Sequence, residues 1–235
     1  MGLTDPAVPL SALLTRPDIR RGGAIGQVAS PSVPTGFAAL DAELPGGGWP
    51  TGCLTELLPD HEGIGELRIL GPALARLSRA GKRLAWIAPP RLPYAPARDA
   101  AGIALARLLI VRTAAPRDTL WATEQALRSA ACGAVLVWPG ATRYADLRRL
   151  QLAAEQAHAL AVIFRAPRAE REASPAALRL ALHTAAGGLA ARILKRRGAA
   201  CVRPVLVDIG TPRAMDRALP VEPAARSADA GVCHA

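Results

Sequence analysis

The stretch 46–70, "GGGWPTGCLTELLPDHEGIGELRIL", decides the fold. It opens on a glycine-rich turn, enters an apolar strand-like piece at 54–58, turns again at Gly63 and Gly65, and continues with helical spacing. Leu67, Leu70, Leu74 and Leu77 recur every three or four residues, which predicts a helix over 63–80. Pro72 is expected to kink that helix near its start, and Gly81 stands where a C-terminal cap belongs. A buried strand that leads through a glycine turn into a helix is a unit of α/β architecture.

The pattern repeats downstream. "RLAWIAPP" (83–90), "LARLLIV" (105–111), "GAVLVWPG" (133–140) and "LAVIFRA" (160–166) are continuous apolar runs, each read as a buried strand. Between them lie a helix over about 119–131, with Asp118 as its expected cap, and a longer one over about 142–159. Alternation of this kind predicts a parallel sheet covered on both faces by helices. The last third differs: "ALRLALHT" (177–184), "LAARILKR" (189–196) and "CVRPVLVDI" (201–209) have no helix-length spacers. They are expected to extend the sheet as antiparallel strands.

Composition supports one domain with appendages. The chain has 235 residues, 51% of them apolar, and carries a formal charge of +10. Lys82 and Lys195 are the only lysines among 29 basic residues, so the positive charge is arginine. Attraction to phosphate or to an acidic partner is one reading of that excess; a compositional bias spread along the chain is the other. Residues 1–34 read as an arm and linker, with a short amphipathic helix at "LSALLT" (10–15), 35–209 as the core domain, and 210–235 as a flexible tail. Four dispersed cysteines and four dispersed histidines form no metal-ligand spacing. Reduced thiols and a cytoplasmic location are the expectation. The N-terminus lacks the pattern of a secretory signal. The longest uncharged stretch, 22–40, is too rich in Gly, Pro and Ser for a membrane helix.

Within "TGFAALDAELPGGGWPTGCLTEL" (35–57), Thr35, Gly36, Leu40, Asp41, Leu44, Gly47, Gly48, Pro50, Gly52 and Glu56 fall in step with the opening of the RecA core, which this segment resembles. The resemblance covers about 35–166 and implies a RecA-like core: a mostly parallel sheet flanked by helices, here extended by the C-terminal antiparallel strands. The nucleotide chemistry of that family is missing. A phosphate-binding loop, G-x-x-x-x-G-K-[ST], needs backbone amides around the phosphates, a lysine to neutralise them and a hydroxyl on Mg²⁺. The corresponding residues are Pro59, Asp60, His61, Glu62, Gly63, Ile64, Gly65 and Glu66, a degenerate loop with Gly65 at the lysine position and Glu66 at the hydroxyl position. Asp60, Glu62 and Glu66 would oppose a polyphosphate there. Arg68 is the nearest cation, but it lies along the predicted helix.

Trp138 stands where the metal-binding aspartate of a Walker B strand belongs. "APPRLPY" (88–94), where the catalytic acid belongs, has no carboxylate. No catalytic residue, cofactor or metal is therefore expected. "VLVD" (205–208) mimics a Walker B strand but is read as an ordinary strand with a terminal Asp.

"ELLPDHEGIGELRIL" (56–70), "LARLSRAGKRLAWIAPPRLPYAPA" (74–97) and "RLLIVRTAAPRDTLWATEQALRS" (107–129) together resemble ImuA, the RecA-like and SulA-related family of bacterial damage-inducible mutagenesis cassettes. That resemblance implies a non-catalytic accessory protein of error-prone translesion synthesis in the SOS response. The implied partners are an ImuB-like Y-family homologue, an error-prone C-family DNA polymerase and RecA. The arm at 10–21, the 88–97 loop and the tail are the candidate contact surfaces. Two alternatives are a SulA-like cell-division inhibitor and an active DNA-dependent ATPase. DNA is a further candidate partner, with Lys195, Arg196 and Arg197 as the candidate contacts; the plain reading of that cluster is a solvated element end.

Overall fold

The computed structural model describes residues 31–198, 201 and 203–210, together with the backbone of Leu219–Pro220. Residues 1–30 of the expected arm, with the candidate helix at 10–15, lie outside it, as does the tail beyond 210 apart from that dipeptide; the last residues of the expected arm, Ser32–Val33, pair with Trp49–Pro50 of the core.

The chain enters through a short ribbon. Strand β1 (Ser32–Val33) pairs antiparallel with β2 (Trp49–Pro50), and helix α1 (Ala38–Glu43) lies between them. Asp41 accepts a hydrogen bond from the Thr35 amide at 2.8 Å, which fixes the turn into α1. Leu40 and Trp49 are fully buried. Strand β3 (Cys53–Pro59) follows, with all seven residues buried, as expected of a strand covered on both faces.

The predicted helix over 63–80 is shorter in the structure. Residues 61–70 form a chain of turns, and helix α2 spans Gly71–Arg79. Gly63 (φ +84) and Gly65 (φ +108) adopt left-handed backbone that no helix contains. Pro72 is not a kink: it sits in the first turn, where a missing N–H costs nothing. Ile64, Ile69 and Leu70 are buried nonetheless, so the apolar spacing came from a packed loop. Gly81 takes φ +79 directly after the cap residue Ala80.

Beyond α2 come β4 (Arg83–Ile87), β5 (Arg91–Leu92), α3 (Ala95–Ala100) and β6 (Leu108–Val111). Only the second half of the 105–111 run is strand; Leu105–Arg107 make a 3₁₀ turn. The strand is also not buried. It lies at the sheet edge, and Leu109 is 54% exposed. Helix α4 (Pro116–Arg128) begins three residues ahead of prediction. Ala115 precedes it as cap, Pro116 supplies the preset φ of a first helical residue, and Asp118 lies in the first turn near the positive helix end. Then follow β7 (Cys132–Val137), α5 (Tyr144–Ala157) and β8 (Leu160–Phe164), close to expectation. The last third forms β9 (Leu178–Ala185), β10 (Gly188–Lys195) and β11 (Val205–Val207).

These strands build one eight-stranded mixed sheet in the order β11-β10-β9-β3-β8-β7-β4-β6. The six strands from β6 to β9 run parallel, and β10 and β11 extend them antiparallel. The helices divide between two cores. Leu57, Leu74, Trp86 and Leu180 belong to one, on the α2 side. Leu54, Val135, Leu147 and Ile163 belong to the other, under α4 and α5. Beyond the described core, β12 (Leu219–Pro220) pairs antiparallel with β5, so the chain returns to the 88–94 loop.

Among the described residues no helix is long and apolar enough to cross a membrane.

Candidate functional site

β3 lies inside the sheet, and the loop 60–70 leaves its carboxyl end, where open α/β sheets place their ligands. The loop does form an anion cradle of backbone amides, but the chain fills it with its own carboxylate. Both Glu66 carboxylate oxygens accept from the Gly63 N–H at 3.1 Å, and Oε2 also accepts from the Gly65 N–H at 3.1 Å. Successive amides made available by left-handed glycines are the usual construction of an anion-binding concavity. Glu66 therefore sits on donors that a phosphate would need.

The other two carboxylates of the loop are also engaged. Asp60 Oδ2 lies 2.8 Å from His183 Nδ1 on β9, and Glu62 forms a loose ion pair of 3.8 Å with Arg91 on β5. Ile64 is anchored in the α2-side core and His61 is exposed. At the lysine position, Gly65 combines φ +108 with a close neighbour: a β-carbon there would overlap Ile209 Cδ1. Arg68 is not on a helix, as the sequence suggested, but in the turns before α2. Its guanidinium is directed at Gly210 rather than at Gly63 and Gly65.

Trp138 follows β7 at the carboxyl end of the sheet. Its ring stacks on Phe164 with centroids 4.4 Å apart and planes 4° from parallel, and meets Trp86 in a tilted contact at 6.1 Å. Three neighbouring strands, β4, β7 and β8, thus contribute one aromatic cluster where a metal site would need a carboxylate. No group of three His, Cys, Asp or Glu side chains among the described residues is arranged to hold a metal ion. The 88–94 loop carries no acid and is paired through β5 to β12.

The structure adds a feature that sequence reasoning missed. Glu56, fully buried at mid-strand in β3, accepts from Arg179 Nε at 2.6 Å, from Arg165 Nη1 at 3.3 Å and from the Ser174 hydroxyl at 2.7 Å. Arg165 reaches on to Glu172 at 2.5 Å and to the Thr142 carbonyl, and Arg179 to the Ala169 carbonyl at 2.7 Å. Two carboxylates balance two guanidiniums, as burial of charge requires. The network clamps β3, β8 and β9 to the segment 167–174. A lone arginine in or directly after an apolar run, as in "LAVIFRA" and "ALRLALHT", was the available signal.

Of Lys195, Arg196 and Arg197, the structure brings the two arginines to one small cleft and leaves Lys195 off its lining. Lys195 Nζ donates to the Ser174 carbonyl at 2.9 Å. Arg196 pairs with the Glu43 carboxylate at 2.9 Å and with its backbone carbonyl. Arg197 lines that cleft of about 220 Å³ at the amino end of β3, shared with Cys53, Glu155 and His158. Burial pushes the Cys53 thiol above its ordinary value; the Arg197 charge pulls it back and Glu155 adds to the rise. At the end of β11, Asp208 accepts from the Gly210 N–H at 2.8 Å, a turn contact consistent with the plain reading of 205–208.

No known family's profile matches the chain, and no curated protein does. Among solved structures, 48% of the chain is similar to SulA from Pseudomonas aeruginosa, at 27% identity and a TM-score of 0.40, covering 97% of that protein.

Proposed function

We propose that the chain is a non-catalytic, RecA-like accessory protein of the ImuA type, acting by protein–protein contacts in an error-prone translesion synthesis complex. The observation that carries the non-catalytic part is the Glu66 carboxylate on the amides of Gly63 and Gly65. A phosphate would have to displace a tethered anion that the loop already satisfies, and would find no lysine to favour the exchange. Two further observations point the same way. Gly65 takes a left-handed backbone, and a side chain there would have to displace the Ile209 Cδ1 methyl; the expected Walker B position is filled by a stacked Trp138.

The accessory role rests on the sequence resemblance over 35–166 and its three ImuA-like segments. Its partners are an ImuB-like Y-family homologue, a C-family polymerase and RecA. A mixed sheet with the turns of 61–70 packed at the carboxyl end of β3 offers a rigid scaffold for such contacts, although fold alone never assigns function.

Two measurements test the reading. The full chain is mixed with the ImuB-like protein and the C-family polymerase from the same genome and resolved by size exclusion. Separately, it is titrated with Mg-ATP in a calorimeter. Co-elution with either protein and no heat from ATP is the expected result. Micromolar ATP binding, or failure to co-elute with both proteins, refutes it.

A further inference from the structure

A groove of about 1050 Å³ runs beside α2, walled by α2, α3, the turn at 34–37 and the segment 208–210 after β11. Its volume is at the top of the range that small ligands fill. Among the described residues four arginines line it, Arg68, Arg76, Arg79 and Arg98, with Asp208 as the one described carboxylate; Arg68 and Arg98 are already engaged within the chain, which leaves Arg76 and Arg79 as the exposed cations of the groove. We propose that this groove docks a segment of another protein that carries carboxylates interleaved with apolar side chains. The proposal stands independently of the functional reading above.

The argument starts from α2. Its core face is Ala73, Leu74 and Ser78, all buried. Pro72, Arg76 and Arg79 form the opposite stripe, at spacings of three and four, and all three are exposed. Arg79 Nε donates to the Ala75 carbonyl one turn back, and neither Arg76 nor Arg79 forms an ion pair with a described carboxylate. Two like charges one turn apart destabilise a helix slightly, so the pair favours an anion brought from outside. Asp208 does not supply that anion: its carboxylate accepts from the Gly210 N–H and forms no ion pair with Arg76 or Arg79.

The floor decides which anion. Phe37, Leu67 and Ile209 are half-buried in the groove beside the exposed Pro72. A nucleic-acid backbone would use the guanidiniums but leave this apolar floor wet. Phe37 is the only aromatic ring among the described lining residues, too few for a base-stacking platform. A peptide with apolar anchors and flanking Asp or Glu would use both features: arginine gives carboxylate pairing, and the floor gives buried area. The chain's own termini lack the acid excess. Residues 1–30 carry Arg16, Arg20 and Arg21 against Asp5 and Asp18, and 211–235 carry three arginines against three carboxylates.

The test selects random 12-residue peptides by display against the immobilised full chain, then measures one enriched, fluorescein-labelled peptide by anisotropy. Enrichment of Asp and Glu between Leu, Ile or Phe is expected. Arg76→Glu with Arg79→Glu should weaken the peptide at least tenfold, while the control Arg143→Glu with Arg148→Glu, an equal charge change at exposed positions of α5 and its cap, should not. Both residues of the double variant are solvent-exposed, and an unchanged circular dichroism melt confirms its fold. Failure of peptides to enrich, enrichment without acidic residues, or equal binding to the double variant overturns the proposal. So does a labelled 20-residue oligo-dT that binds the wild type and is lost in the double variant while no peptide binds, which would assign the groove to nucleic acid.

Discussion

Glu66 reaches back three residues to hold the Gly63 amide, both of its carboxylate oxygens 3.1 Å from that nitrogen. The contact makes the loop a closed anion site with a built-in occupant. Removing the occupant with Glu66→Ala should free the Gly63 and Gly65 amides. Hydrogen bonds to a charged acceptor are worth about 1.5–3 kcal/mol when buried; this carboxylate is half-exposed, so a loss of about 1 kcal/mol is expected. Amide exchange at Gly63 and Gly65 should rise while the strand β3 amides keep their protection. Unchanged exchange at both glycines would refute the assignment.

The lysine position tests the same loop from the other side. Gly65→Lys writes a phosphate-binding residue into the sequence, yet the backbone there is left-handed and Ile209 occupies the space of the β-carbon. The left-handed conformation alone costs a non-glycine residue about 1–2 kcal/mol, and displacing Ile209 adds to it. The variant should unfold at lower urea concentration than the wild type and still show no heat with Mg-ATP. A gain of ATP affinity without loss of stability would show that the loop is more adaptable than its packing indicates.

Much of this fold is legible in the sequence where the physics is local. β4, β7 and β8 are continuous apolar runs bounded by glycine or proline, and they lie where those boundaries place them. β9 to β11 lack the residues for intervening helices and pair antiparallel to one another. The 61–70 loop is illegible for a different reason. Leu67 and Leu70 keep helical spacing because they pack inward, and only the left-handed glycines reveal that the backbone is turning. Pro72 carried the correct boundary, since proline is far commoner in the first turn than inside a helix. β6 reads as buried because its four residues are all apolar; edge position is a property of the whole sheet. At the loop after β3, the absence of any lysine from 59–66 is visible in the sequence. The roles of the two buried or tethered carboxylates are not, because Glu66 acts through loop geometry and Glu56 through partners more than a hundred residues away.

Cys53 gives a pH-dependent readout at the amino end of β3. Its thiol is pushed above the ordinary value of 9.0, first by burial, with Arg197 opposing and Glu155 assisting. A raised folded value means that the native state holds the proton more tightly than the unfolded chain. The stability this contributes is complete below pH 9 and is lost as pH rises through the folded value. The unfolding midpoint in urea should therefore fall above pH 9. Arg197→Ala removes the opposing charge, raises the thiol further and should widen that alkaline window. Iodoacetamide at pH 8.5 should label Cys201 faster than Cys53 in the native protein, since Cys53 is 4% exposed and Cys201 is only half-buried. Faster labelling of Cys53 would contradict its burial.

The Glu56 network should show the asymmetry of buried charge. Arg179→Ala leaves a fully buried carboxylate with one guanidinium 3.3 Å away and a hydroxyl, and frees the Ala169 carbonyl as well. Breaking a buried pair from one side typically costs about 3–5 kcal/mol, which is a large part of the stability of a domain this size. Replacing Glu56, Arg165 and Arg179 together with Leu, Met and Met removes the charges as a set and leaves Glu172 at the surface with its solvent. The triple variant should be much less destabilised than Arg179→Ala alone, because no uncompensated charge remains inside. Urea unfolding of the two variants makes the comparison directly. If the triple variant loses as much as the single one, the network stabilises through shape and packing of the β3–β8–β9 seam rather than through matched charge.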